Sequence, residues 1–265
     1  MISLGASLHD LQVVLLMFAR ISAIMTVAPI FGHRAVPAVV RALLGGFVAV
    51  LFFIAGVGGG IQVPAPFGVF LLLAVQEIAF GVLIGFLASL LFAGIGMAAE
   101  LVGRQAAFGF ANVVDPLSQE QGTIIDQLYL LLAALVFLAV DGHHALLRAI
   151  KRSYDFVPVG TFMARTGPEG DLLLNQVLNA VSLMFEITLR LALPALAVLF
   201  VVDLATAILA RTIPQMPVFL IGAPAKLLVG LIILIVTLPP VLHVMTLSFE
   251  QVFIVMFQAM RVASG

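Results

Sequence analysis

From Phe67 to Ala99 the chain is one almost unbroken apolar run, in which Gln76, Glu77 and Ser89 are the only polar side chains. About 20 apolar residues cross a hydrocarbon layer. This run is too long for one perpendicular crossing and must tilt, break or project beyond the layer. It has company: apolar segments at 11–31, 39–55, 123–140, 172–210 and 218–257 extend the pattern along the chain and leave no polar half to fold apart. Lipid offers the backbone no hydrogen-bond partners, which restricts spanning segments to helices and closed barrels. Continuous rather than alternating apolar runs select helices. The expected fold is an all-α membrane protein of about six apolar helical segments, in one membrane-embedded domain over 1–265.

Composition narrows the function. Hydrophobic residues make up 63% of the chain and charged residues 9%, against about 25% charged in soluble domains. A formal net charge of -1 with scattered Lys and Arg lacks the basic cluster that releases counterions from phosphates, so no nucleic-acid partner is expected. Cysteine is absent, which removes disulfides and thiolate metal sites. The first residues carry no positive n-region and no clean cleavage site, so the first run reads as a retained span.

Turn-forming residues divide the runs. Phe31–Pro37 joins the first two as a helical hairpin, and the Gly- and Pro-rich stretch 56–66 is the plainest loop. In the last third, breaks at Arg211–Pro217 and at Pro239-Pro240 predict long segments that bend back as kinked hairpins. Gly81 and Gly85 make a GxxxG spacing that lets two helix backbones approach closely. Lys and Arg do not orient a six-span arrangement, because Arg34, Arg41, Arg104, Arg211 and Lys226 on one side nearly balance Arg148, Lys151, Arg152 and Arg165 on the other. Hairpins that enter and return without crossing account for such a balance. The region from Asp141 to Asp171 is the most water-like part of the chain.

Ionisable groups inside apolar runs are costly, so they pair, face water or face other subunits. Glu77, Glu100, Arg104, Asp126, Glu186, Arg190, Asp203 and Lys226 stand in such positions. Glu186 and Arg190, four apart, can pair on one helix. Asp203 and Lys226 have no local partner and suit contacts between helices or subunits. A proton relay through Glu77, Asp126 and Asp203 is the competing reading. His143 and His144 invite a metal, but neighbouring helical residues point about 100 degrees apart, and no HExxH spacing occurs. Asp141-Gly142 reads instead as a turn or helix start. No GxSxG elbow and no phosphate loop is present, so neither an enzyme nor a cofactor is expected.

The interval from Phe108 to Gly122 sets two Phe residues, Phe108 and Phe110, among polar and small ones. Its backbone would lack partners in lipid, which places it in a protein-lined cavity as a pore-closing element, or in water as an ordinary loop with a Phe-anchored turn.

Several groups of residues then carry a resemblance: Glu77-x-x-x-Gly81-x-x-Ile84-Gly85-Phe86, Glu100-Leu-Val-Gly103-Arg-Gln105 leading to Asp115-Pro116, and Asp141-Gly142-His143. The C-terminal series Leu193-Pro194, Asp203-Leu204, Arg211-Thr-Ile-Pro214-Gln215, Val218-Phe219 and Gly222-x-Pro224-x-Lys226 completes it. In order and coverage the chain resembles the FliR family of flagellar type III secretion export-gate proteins. Pro217 departs from the family's more usual Asn. The resemblance implies a structural subunit that joins FliP-like and FliQ-like subunits in a hetero-oligomeric helical ring, with a FlhB-like protein around the entrance, in the bacterial inner membrane at the flagellar basal body. Unfolded rod, hook and filament proteins would pass through. It also implies a plug over 106–122, with Phe108, Phe110, Asn112, Asp115 and Pro116 in it, and adds Arg211 and Gln215 to the polar contacts. The equivalent subunit of a virulence-type injection system and, in a different class, a secondary transporter or small-solute channel are the alternatives; a transporter should show paired repeats, and no clear repeat is present.

Overall fold

The computed structural model describes residues 8–29, 31–32, 36–57, 66–108, 123–162, 170–213 and 218–264. Among them lie seven helices and no strand: α1 Leu8–Val27, α2 Ala38–Ile54, α3 Phe67–Gln105, α4 Ile124–Ala139, α5 Gly142–Phe156, α6 Gly170–Thr212 and α7 Val218–Val262. Four of them (α1, α3, α6 and α7) are long and apolar enough to cross a membrane, and α4 with α5 would make a fifth span if the broken pair is counted as one. The chain is an all-helical membrane protein.

Length is the unusual property of three of these helices. At about 1.5 Å per residue, the 39, 43 and 45 residues of α3, α6 and α7 extend about 58, 65 and 68 Å, roughly twice a hydrocarbon core of about 30 Å. No break relieves α3, although Gly81, Gly85, Gly94 and Gly96 offered places for one.

Four boundaries differ from the sequence expectation. The first helix stops at Val27 rather than near Phe31, because Pro29 has no N–H to continue it. Helix α3 runs on to Gln105, past the expected polar start at Glu100, since Glu100 and Arg104 pair across one turn and suit a helix. The water-like stretch after Asp141 contains a helix, α5, whose charged residues are exposed on one face, while Leu146, Ala149, Ile150 and Ser153 are buried on the other. Finally, α7 does not fold back at Pro239-Pro240 but continues through them. Two prolines remove two backbone bonds, whereas ending a helix in an apolar setting would orphan four groups at each new terminus. Thr237 Oγ1 donates to the Ile233 carbonyl at 2.7 Å just before the pair.

The chain divides into two compact units: Met1–Leu90, Asp141–Val181 and Gln251–Gly265 in one, Leu91–Val140 and Ser182–Glu250 in the other. In the first unit α1 is the core helix, with Leu16, Met17, Ile21 and Ile24 fully buried. Helix α3 lies hard against it. A Cβ on Gly81 would fall 2.5 Å from the Arg20 carbonyl oxygen, and one on Gly85 2.8 Å from Val27 Cβ. In the second unit Phe92, Phe137 and Phe249 form a triangle with ring centroids 5.5 to 5.9 Å apart, edge and tilted arrangements that aromatic quadrupoles favour. Thr188 Oγ1 donates to the Gly94 carbonyl at 3.0 Å there and ties α6 to α3.

Candidate functional site: a pinned loop mouth

The segment expected to plug a pore begins in the second unit, where α3 ends. Ala107 adopts φ 62, its N–H donates to the Arg104 carbonyl at 3.2 Å, and the Phe108 N–H donates to the Gly103 carbonyl at 3.1 Å. That bond pair is a Schellman termination. Its left-handed position normally takes glycine, and an L side chain there costs about 1–2 kcal/mol. The turn therefore holds some strain at the base of the loop.

Three contacts hold the base in place. Gln105 Nε2 donates to Asp203 Oδ2 of α6 at 2.6 Å, and Asp203 is in turn ion-paired with Lys226 of α7. Both charged side chains are largely withdrawn from solvent, at 32% and 23% exposure. Gly230 of α7 leaves room for the loop base: a Cβ there would meet Ala106 Cβ at 2.6 Å and the Phe108 ring at 3.5 Å.

The far end is fixed independently. Thr123 caps α4 in a reciprocal capping box: the Asp126 N–H donates to Thr123 Oγ1 at 3.3 Å, and the Thr123 N–H donates to Asp126 Oδ2 at 2.5 Å. A Cβ on Gly103 would lie 3.1 Å from Thr123 Cβ, so the two ends of the segment meet at the mouth. Residues 109–122, with Phe110, Asn112, Asp115 and Pro116, lie outside the described residues, as does Gln215.

The other polar residues fall into distinct settings. Glu100 with Arg104 and Glu186 with Arg190 are exposed pairs one turn apart on their own helices. Asp126 serves its own helix start, and its Oδ1 is buried without a partner among the described residues. Arg211 stands exposed in the last turn of α6. Glu77, in the first unit, is fully buried and receives Arg20 Nε at 2.6 Å and Nη2 at 3.1 Å. Arg20 Nη1 also donates to the carbonyls of Ser153 at 3.0 Å and Val157 at 2.8 Å, and the Gly160 N–H donates to Glu77 Oε1 at 2.7 Å. Arg20 was not among the expected site residues, yet its signal was present: an arginine inside the first apolar run is expensive unless partnered.

His143 and His144, expected to diverge, come together. Their ring centroids are 4.2 Å apart, and one ligand atom each from Asp141, His143 and His144 lies within 4.8 Å of the others. Asp141 joins them. With φ 55 it stands outside the helical conformation and turns its carboxylate back to 3.3 Å from His144 Nδ1. Angular separation along a helix therefore does not keep these groups apart.

Long apolar helices that outrun a bilayer, with the end of α3 and the start of α4 each fixed by local contacts, define an all-helical membrane protein. Its kin are specific. The family of bacterial export proteins, family 1, matches residues 11–252, and the chain belongs to it. It is similar to the flagellar biosynthetic protein FliR of Bacillus subtilis (strain 168), 35% identical over 250 residues that cover 93% of this chain and 92% of the relative. The protein of the same name from Escherichia coli (strain K12) is 32% identical, covering 88% of this chain and 87% of the relative. That from Aquifex aeolicus (strain VF5) is 29% identical, covering 90% of each.

Proposed function

We propose that this chain is a structural subunit of the flagellar type III export gate in the bacterial inner membrane, and that segment 106–122 closes the pore it helps to form. The role is mechanical and involves no catalysis. FliP-like and FliQ-like subunits complete the ring, a FlhB-like protein meets its entrance, and unfolded rod, hook and filament proteins are the cargo. The relatives described above are all named as flagellar proteins, which favours this system over an injection system, and membership of an export family argues against a small-solute transporter.

One observation carries the gate reading: the base of the segment is tied to α6 through Gln105 and Asp203 and packed on Gly230 of α7. An ordinary surface loop needs no such clamp, whereas a segment that closes a pore must be held in position at its base. Deleting part of 109–122 should raise ion conductance through the assembled complex in planar bilayers while leaving assembly intact. Unchanged conductance in a complex of normal composition would overturn the plug assignment.

A further inference from the structure

We propose that the groove between α2 and α5 binds one anionic phospholipid, with its phosphate on α5 and its acyl chains along α2. The groove lies wholly within the first unit, encloses about 600 Å³, and has two unlike walls. Val48, Leu51 and Phe52, spaced i, i+3, i+4, form the α2 wall. His144, Arg148 and Lys151, spaced i, i+4, i+7, face it from α5 with Leu147 beside them. A basic stripe opposite an apolar one is the chemistry of an amphiphilic anion.

The charge on that stripe is uncommitted. Among the described residues no carboxylate pairs with Arg148 or Lys151. Asp141 lines the groove too, but its carboxylate is engaged by His144 at 3.3 Å. Arg152, the third cation of α5, is turned elsewhere, over the Phe257 ring at 5.1 Å. The apolar wall is braced by an edge-on contact of Phe52 with Tyr154, centroids 6.4 Å apart.

Position selects a lipid over a soluble phosphate. The cations face the C-terminal half of α2, and from there Leu51, Phe47 and Leu43 continue toward its N-terminus at 45%, 62% and 68% exposure, an apolar track at one-turn spacing. Helix α2 has 17 residues, about 26 Å at 1.5 Å per residue, which is too short to span but longer than one leaflet of about 15 Å. Headgroup and tails therefore each meet a matching surface, and basic pockets beside membrane helices are where anionic headgroups bind.

The test uses the full chain in an uncharged detergent, titrated with short-chain phosphatidylglycerol, with phosphatidylcholine of the same chain length, and with inorganic phosphate, read by native mass spectrometry. Phosphatidylglycerol should bind saturably, one per chain, about tenfold tighter than phosphatidylcholine, with no saturable phosphate binding. Arg148→Gln and Lys151→Gln should each weaken it about fivefold, while Arg261→Gln, an equal loss of charge on an exposed residue at the end of α7, should not. Equal affinity for the two lipids, or undiminished binding by both groove variants, would overturn the proposal. Phosphate bound as tightly as the lipid would make it a soluble-anion site. Binding by the isolated chain but not by the chain within its complex would assign the groove to a protein neighbour.

Discussion

At the scale of single residues, the most consequential side chain is Arg20, because one guanidinium joins three helices. It neutralises Glu77 of α3, and it caps the end of α5 by donating to the Ser153 carbonyl, which also accepts the Val157 N–H, and to the Val157 carbonyl just past the helix. The positive charge also lies at the negative end of the α5 dipole. Its guanidinium carbon sits 4.3 Å from the Tyr154 ring centroid and 4.9 Å from that of Phe80, and Tyr154 itself donates to the Met17 carbonyl at 3.1 Å. Since both members of the pair are fully buried, removing one leaves a charge with nowhere to go. Arg20→Ala and Glu77→Ala should each cost about 3–5 kcal/mol, read as a lowered thermal midpoint and poor recovery of monodisperse protein. The double variant Arg20→Met with Glu77→Leu should recover part of that loss but not all, because the Val157 carbonyl and the Gly160 N–H lose their partners. Wild-type stability in either single variant would show that the pair contributes nothing to the fold.

At the scale of elements, helix contacts decide whether a glycine stabilises or weakens its helix, and two glycines of α3 should behave oppositely. Alanine favours a helix over glycine by about 1 kcal/mol. At Gly68 nothing lies within 4 Å of the added carbon, so Gly68→Ala should be stabilising. At Gly81 the added carbon meets the Arg20 backbone oxygen at 2.5 Å, a group that cannot rotate aside, and overpacking of about 1–3 kcal/mol outweighs the propensity gain. Thermal midpoints moving in opposite directions would verify the α1–α3 contact; a stabilising Gly81→Ala would refute it. This contact also shows how far a sequence can be read. The spacing of Gly81 and Gly85 marked a close approach, but nothing local to them marked α1 as the partner. Run lengths located the long helices because lipid thickness is a fixed ruler, while α5 escaped because its polar face masks an apolar one. Pro239-Pro240 misled for a related reason: proline's cost is local, and the cost of opening a helix in an apolar setting is larger. Asp203 and Lys226 stood out by lacking local partners, and the structure pairs them with each other across α6 and α7. Arg20 and Glu77 are 57 positions apart, beyond any local pattern.

At the scale of the whole molecule, the proposed gate must be closed most of the time yet open without unfolding, so under that proposal the contacts on the base of segment 106–122 should be weaker than those that build the frame. The two kinds of contact are separable here. Asp203 makes both, the frame bond to Lys226 and the loop bond to Gln105, and these use different oxygens, Oδ1 and Oδ2. Gln105→Met removes only the loop bond. A hydrogen bond to a charged group contributes about 1.5–3 kcal/mol, so the open state should gain about 10- to 150-fold in population, appearing as higher ion leak through complexes of unchanged composition and yield. Lys226→Met acts on the frame instead, stranding a half-buried carboxylate, and should lower the yield of the complex. On that proposal the strained turn at Ala107 would favour opening, because release of the base would let that residue leave its left-handed conformation. Leak without loss of assembly in Gln105→Met, set against loss of assembly in Lys226→Met, would separate latch from frame. If both variants instead lose assembly together, Gln105 belongs to the frame, and closure must reside within 109–122 itself.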